Sequence, residues 1–105
     1  MEKLIVSAHR YYKEGLKKAE IEDTRASLDY FQRAIRSLIL LKPDKKRDSL
    51  LAEVYLARYT VTKELDIDAA LADLRVGYSY ARTSREPGLQ DRAQNLWQSH
   101  LKNDG

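Results

Sequence analysis

The sequence predicts an all-α fold on three observations. Apolar residues recur at helical spacing in successive segments. β-branched residues are sparse and never alternate with polar ones, so no strand competes. Only 4 Gly and 2 Pro interrupt a chain that is 43% hydrophobic and 33% charged, a composition that suits helices throughout. At 105 residues this is one domain.

The first segment, from about Glu2 to Glu20, aligns Leu4, Ile5, Ala8, Tyr11, Tyr12, Leu16 and Ala19 on one stripe. "EIEDTRAS" interrupts it, and Asp23 or Thr24 can cap the next helix. That helix turns Ala26, Leu28, Phe31, Ala34, Ile35, Leu38 and Leu41 inward and ends before Pro43, which disfavours helix at Lys42. Asp44 or Asp48 caps a third helix carrying Leu51, Val54, Tyr55, Ala57, Tyr59 and Val61. "ELDID" makes the next turn, with Asp66 and Asp68 at capping positions, and a fourth helix follows to about Thr83. Ser84 caps a last helix over about residues 88–102, with Pro87 in its first turn. Short connections make consecutive helices antiparallel, giving hairpins over about residues 2–41 and 44–83 and a closing C-terminal helix.

Without cysteine there is neither a disulfide nor a thiolate metal site. No apolar run reaches the ~18 residues of a membrane span. "LIVSA" is cut off by His9 and Arg10, too short for a signal peptide's apolar core, so a cytoplasmic location and no membrane contact are expected. His9 and His100 are isolated from other ligand types, the serines fit no nucleophile elbow, and the glycines are dispersed. Asp66 and Asp68 are explained by capping. A non-catalytic chain without cofactor or metal is expected.

The net charge is +3. Its excess lies in Lys42, Lys45, Lys46 and Arg47, offset there by Asp44 alone. This basic loop has no interleaved aromatics and is narrower than a nucleic-acid stripe. It supports the alternative of a small nucleic-acid-associated protein, and otherwise steers an acidic partner.

The two capping aspartates define an internal offset of 43 residues (66 − 23). It superposes Tyr55 on Tyr12, Tyr59 on Leu16, Ala69 on Ala26, Leu74 on Phe31 and Gly77 on Ala34. A second step carries Val54 to Trp97. The repeating unit is therefore a helical hairpin.

"YYKEGLKKAEIEDTRASLDYFQRAI" resembles a tetratricopeptide repeat (TPR), matching that family's small–aromatic–small ladder at Tyr11, Gly15, Ser27, Phe31 and Ala34. "DIDAALADLRVGY" is similar to the second half of the repeat through Ala70, Leu74 and Gly77. The unit is longer than the family's ~34 residues, and the second copy has no glycine in its first helix. A three-helix bundle of the microtubule-interacting-and-transport type over the first 65 residues is the alternative resemblance.

The TPR resemblance implies a short solenoid, and as its function protein–protein interaction: an adaptor or scaffold taking a partner's peptide or helix. It places His9, Tyr12 and Leu16 on a concave groove, with Tyr55, Tyr59 and Thr62 as their second-copy counterparts. Arg58, beside them, adds steering for an acidic partner. The Lys–Asn–Arg clamp with which some family members grip chaperone tails is missing from these positions. Self-association through "LIV" at residues 4–6, giving a homodimer, is a third function class.

Overall fold

Three of the helices begin where an aspartate accepts from backbone N–H groups that have no partner inside the helix. In the computed structural model, which describes residues 2–104, the order is α1 Glu2–Glu20, α2 Thr24–Ile39, α3 Lys45–Thr62, α4 Ile67–Ser84 and α5 Pro87–Asp104. Asp23, Asp44 and Asp66 accept from the N–H groups of Ala26, Arg47 and Ala69, at 3.3, 2.7 and 3.2 Å. The first and third of these caps, 43 residues apart, start the second helix of each hairpin. Asp68 lies in the first turn of α4, where its charge suits the helix dipole, and Asp48 is no cap but a buried side chain.

Ser84 departs from the expected role. It is the last residue of α4, and its hydroxyl donates to the Ala81 carbonyl while accepting from the Glu86 N–H. The Glu86 carbonyl then receives the first bond of α5, from Gln90. Glu22, with φ 61°, and Arg85, with φ 60°, close α1 and α4 in the left-handed conformation that favours glycine.

The fold is all-α, with α1 packed antiparallel on α2 and α3 on α4. Among the described residues α3 touches every other helix, whereas α2 and α4 do not meet. Leu51, Val54 and Ala57 of α3 join Phe31, Ala34, Ile35 and Leu38 of α2 with Ala8 and Tyr12 of α1 in one core. Ala52, Leu56 and Tyr59 of α3 build a second core with Ala70, Leu74 and Ala81 of α4 and Ala93 of α5. Ala93 is the one buried residue of α5 among those described, so that helix is the most loosely held.

The small residues of each hairpin mark a close approach. A methyl group on Gly15 would fall 2.5 Å from the Phe31 ring, and the Gly15 carbonyl accepts from the buried Ser27 hydroxyl at 2.8 Å. In the second hairpin the large residue is on the other helix, so a methyl on Gly77 would meet Leu56 at 2.8 Å. Gly15→Ala gains about 1 kcal/mol of helix propensity, but overpacking against the confined ring costs more. A net loss of about 1–2 kcal/mol is expected by urea unfolding. Glu22→Gly relieves the left-handed backbone and should stabilise by about 0.5–1 kcal/mol in the same assay.

Candidate functional site

The side chains expected to line a groove are mostly engaged inside the protein. Tyr12 is buried, its ring 6.2 Å from that of Phe31, and Arg92 of α5 faces its hydroxyl opposite Glu53 of α3. Tyr59 is buried in the second core, against which Leu96 and Trp97 of α5 also pack. Leu16 is half-buried on the first core, and Thr62 donates to the Arg58 carbonyl of its own helix at 2.8 Å. Of the seven, only His9 is exposed. The two tyrosines therefore belong to the core, because α5 lies over the face they were expected to present.

Arg58 is likewise not a steering charge. Its guanidinium donates to both carboxylate oxygens of Asp73 at 3.1 and 2.8 Å and to Gln32 Oε1 at 2.8 Å. It thereby ties α3 to α4 and α2 across the valley between the latter pair, with the Tyr55 ring 5.2 Å from the guanidinium carbon. Tyr55 stacks at 6.0 Å on Tyr80, which in turn lies 5.7 Å from Arg47. Arg47 donates to Asp48 and to the Leu41 carbonyl, while Thr83 donates to the other Asp48 oxygen at 2.7 Å. Both guanidiniums and both carboxylates in this chain of contacts are hydrogen-bonded within the fold. Arg47 therefore drops out of the basic loop as a free cation. Lys42, Lys45 and Lys46 stay exposed, and the packing of α3 on α4 brings the exposed Arg82 and Arg85 to the same end of the hairpin. "LIV" is similarly divided: Leu4 and Ile5 pack on the first core, leaving Val6 exposed.

A cleft lies open between α4 and α5. Arg75 and Tyr78, three residues apart on α4, face Gln94 and Trp97, three apart on α5, around a cavity of about 330 Å³. The Tyr78 hydroxyl donates to Gln94 Oε1 at 3.2 Å. Trp97 is half-buried and its ring lies 6.0 Å from His100, while Val76 is exposed nearby on α4. Arg75 has no ion pair among the described residues. The cleft exists because α5 reaches the second core through small Ala93, with Leu89 and Leu96 only partly covered. Sequence reasoning missed it, because periodicity places Tyr78 and Trp97 on helices without showing how deeply each is covered. The paired spacing of an aromatic with a hydrogen-bonding residue on both helices was the available signal.

Among the described residues no group of three or more His, Asp or Glu side chains could hold a metal ion. No helix there is long and apolar enough to cross a membrane. No family model, curated protein or solved structure matches the chain.

Removing Asp73 leaves Arg58 desolvated without its counter-charge, so Asp73→Ala should cost about 2 kcal/mol by chemical denaturation. The double variant Arg58→Met/Asp73→Leu should recover much of that loss. Burial pushes the Tyr12, Tyr55 and Tyr59 hydroxyls above their ordinary value of 10.0. Glu53 adds to the effect at Tyr12, where Arg92 opposes it, and Arg58 opposes it at Tyr55. The folded protein thus keeps these protons after the unfolded chain has released them. Stability is constant through this effect below about pH 10 and falls as pH rises beyond it, with tyrosinate absorbance appearing together with unfolding.

Proposed function

We propose that this protein is a non-catalytic interaction module that seats a segment of another protein in the α4–α5 cleft. The observation that carries the reading is the cleft itself. Trp97 and Tyr78 supply wide, partly apolar walls on two neighbouring helices, and Arg75 waits at the rim without an ion pair among the described residues. Tryptophan, tyrosine and arginine are the residues that dominate binding energy at protein interfaces. Their two-χ and fork-shaped side chains lose little freedom on contact. A cavity of about 330 Å³ takes one large side chain at a time. The matching segment therefore carries an aromatic or leucine residue to fill the cleft and a carboxylate one helical turn away to meet Arg75.

The TPR resemblance implies this class of function, but the proposed contact is the α4–α5 cleft and not the expected groove, whose Tyr12 and Tyr59 are buried. Arg82 and Arg85 line a cavity of about 490 Å³ with Ser79 and Thr83, and with Lys42, Lys45 and Lys46 exposed at the same end of the hairpin they support the second reading, a nucleic-acid contact. The two differ in salt dependence, since phosphate contacts weaken steeply with salt and aromatic burial hardly does.

Peptide display against the folded protein, counter-selected on Arg75→Glu, tests the reading directly. Enriched peptides should share an acidic residue beside an aromatic or leucine. Their affinity should fall at least about tenfold in Arg75→Glu and in Trp97→Ala, while Tyr55→Phe, which keeps the stacked ring, leaves it unchanged. Absence of enrichment, or peptides indifferent to both variants, refutes the cleft. A single-stranded oligonucleotide bound tightly at low salt and lost with Arg82→Gln/Arg85→Gln favours the basic end.

A further inference from the structure

Leu40 is the most exposed large aliphatic side chain among the described residues, at 76%, and Ile39 beside it is 54% exposed. Leu38 and Leu41 on either side are buried, so the chain sends this one pair out into solvent between two anchors. The pair stands at the end of the molecule where α2 stops, α3 starts and α4 finishes. That corner is tied down from within. Arg47 donates to the Leu41 carbonyl and to Asp48, and Thr83 of α4 donates to the other Asp48 oxygen. Single exposed aliphatics are ordinary. An adjacent pair on a fixed turn gains meaning from what surrounds it.

The surroundings are positive. Lys42, Lys45 and Lys46 follow the pair in sequence, and Arg82 and Arg85 close α4. Lys3 and Arg36 lie in the terminal turns of α1 and α2 at the same end. All of these are exposed, and none has an ion pair among the described residues. The acids of the same turns are fewer: Glu2, Asp44, Asp48 and Glu86. Of these, Asp48 is buried against Arg47, and Asp44 accepts from the Arg47 N–H as the cap of α3. The opposite end differs. It also exposes aliphatics, Ile21, Leu65 and Ile67, but Lys17, Arg25 and Lys63 stand there among Glu20, Glu22 and Glu64, and that mixture selects no partner by charge.

An aliphatic pair ringed by lysines fits the boundary of a bilayer, where apolar tips reach the acyl chains and ammonium groups on long stems stay with the phosphates. A nucleic acid would use the cations and leave Ile39 and Leu40 without a partner. The nearby Tyr80 ring is already stacked on Tyr55, so it offers no platform for a base. Protein interfaces favour aromatic residues and deplete lysine, the reverse of this patch.

We propose that this end of the protein docks on an anionic lipid surface, with Ile39 and Leu40 entering the headgroup layer and the surrounding cations meeting lipid phosphates. Arg82 and Arg85 line a hollow of about 490 Å³ with Ser79 and Thr83. The Thr83 hydroxyl is committed to Asp48, so the two guanidiniums are the groups that receive a headgroup phosphate there. Stable attachment takes two signals, and here a short apolar insertion joins a basic rim. The expectation of no membrane contact rests on the missing span and signal peptide, and a peripheral contact needs neither. The surface shares no residue with the α4–α5 cleft and stands whether or not that cleft binds a partner.

Flotation with vesicles tests it, using phosphatidylcholine alone and phosphatidylcholine mixed with phosphatidylglycerol. The unmodified protein should float with the mixed vesicles, ignore the neutral ones, and bind more weakly as salt rises. Ile39→Ser/Leu40→Ser should lower the partition constant at least about tenfold, and Lys42→Gln/Lys45→Gln/Lys46→Gln should lower it at least as much. All five positions are exposed, and circular dichroism checks the fold. Should the double change disturb it, Leu40→Ser alone serves. Leu65→Ser, at the opposite end, should leave binding unchanged. No flotation with mixed vesicles, equal flotation with neutral ones, or loss through Leu65→Ser would each overturn the proposal. So would binding that ignores the changes at Ile39 and Leu40, because the cations would then act alone. A single-stranded oligonucleotide that binds where mixed vesicles do not assigns this end to nucleic acid instead.

Discussion

Everything in this protein hangs on α3 having no outward face to spare. It is the helix that every other helix touches, and a helix covered on nearly all sides cannot be amphipathic in the ordinary way. Its apolar residues split into two sets, Leu51, Val54 and Ala57 toward the first core and Ala52, Leu56 and Tyr59 toward the second. The strip between them lies under the valley separating α2 from α4, where neither water nor a greasy neighbour is fully available. Arg47, Asp48, Tyr55 and Arg58 fill that strip, and each half-buried charge is matched by a hydrogen-bonding partner. Unmatched polar groups there would cost more than their pairing returns. The network is therefore a condition for placing α3 at the centre.

The two hairpins solve one packing problem with opposite assignments. In the first, the leading helix gives way at Gly15 and the second fills the space with Phe31. In the second, the leading helix contributes Leu56 and the following helix gives way at Gly77. The repeat thus conserves a tight crossing, while the choice of which helix is small is free. The position matching Gly15 in the second copy is Arg58, which can be long because it points into the valley and finds Asp73 and Gln32.

Local features were legible in the residues and tertiary ones were not. Asp23, Asp44 and Asp66 mark helix starts because a cap is a contact over three residues. Periodicity shows that Tyr12 and Tyr59 are on apolar faces, but not that α5 comes back to cover them. Arg58 looked like a surface charge because its partners are 15 and 26 residues away. Asp48 looked like a cap for the same reason, its hydroxyl donor Thr83 being 35 residues on. The α4–α5 cleft was missed because a stripe of apolar residues does not say how deeply each one sinks. Ala93 sinks fully while Trp97, on the same face, stops halfway.

That unequal sinking sets how the protein opens. Helices held by several buried side chains exchange their amide hydrogens only when a whole hairpin comes apart, whereas a helix anchored by one alanine can lift alone at small cost. The sole tryptophan is on that helix. Its emission would follow the lifting of α5, while circular dichroism, dominated by the two hairpins, would follow the rest. The two probes would then trace separate transitions, and a single unfolding free energy would describe the hairpins without describing the helix that closes them.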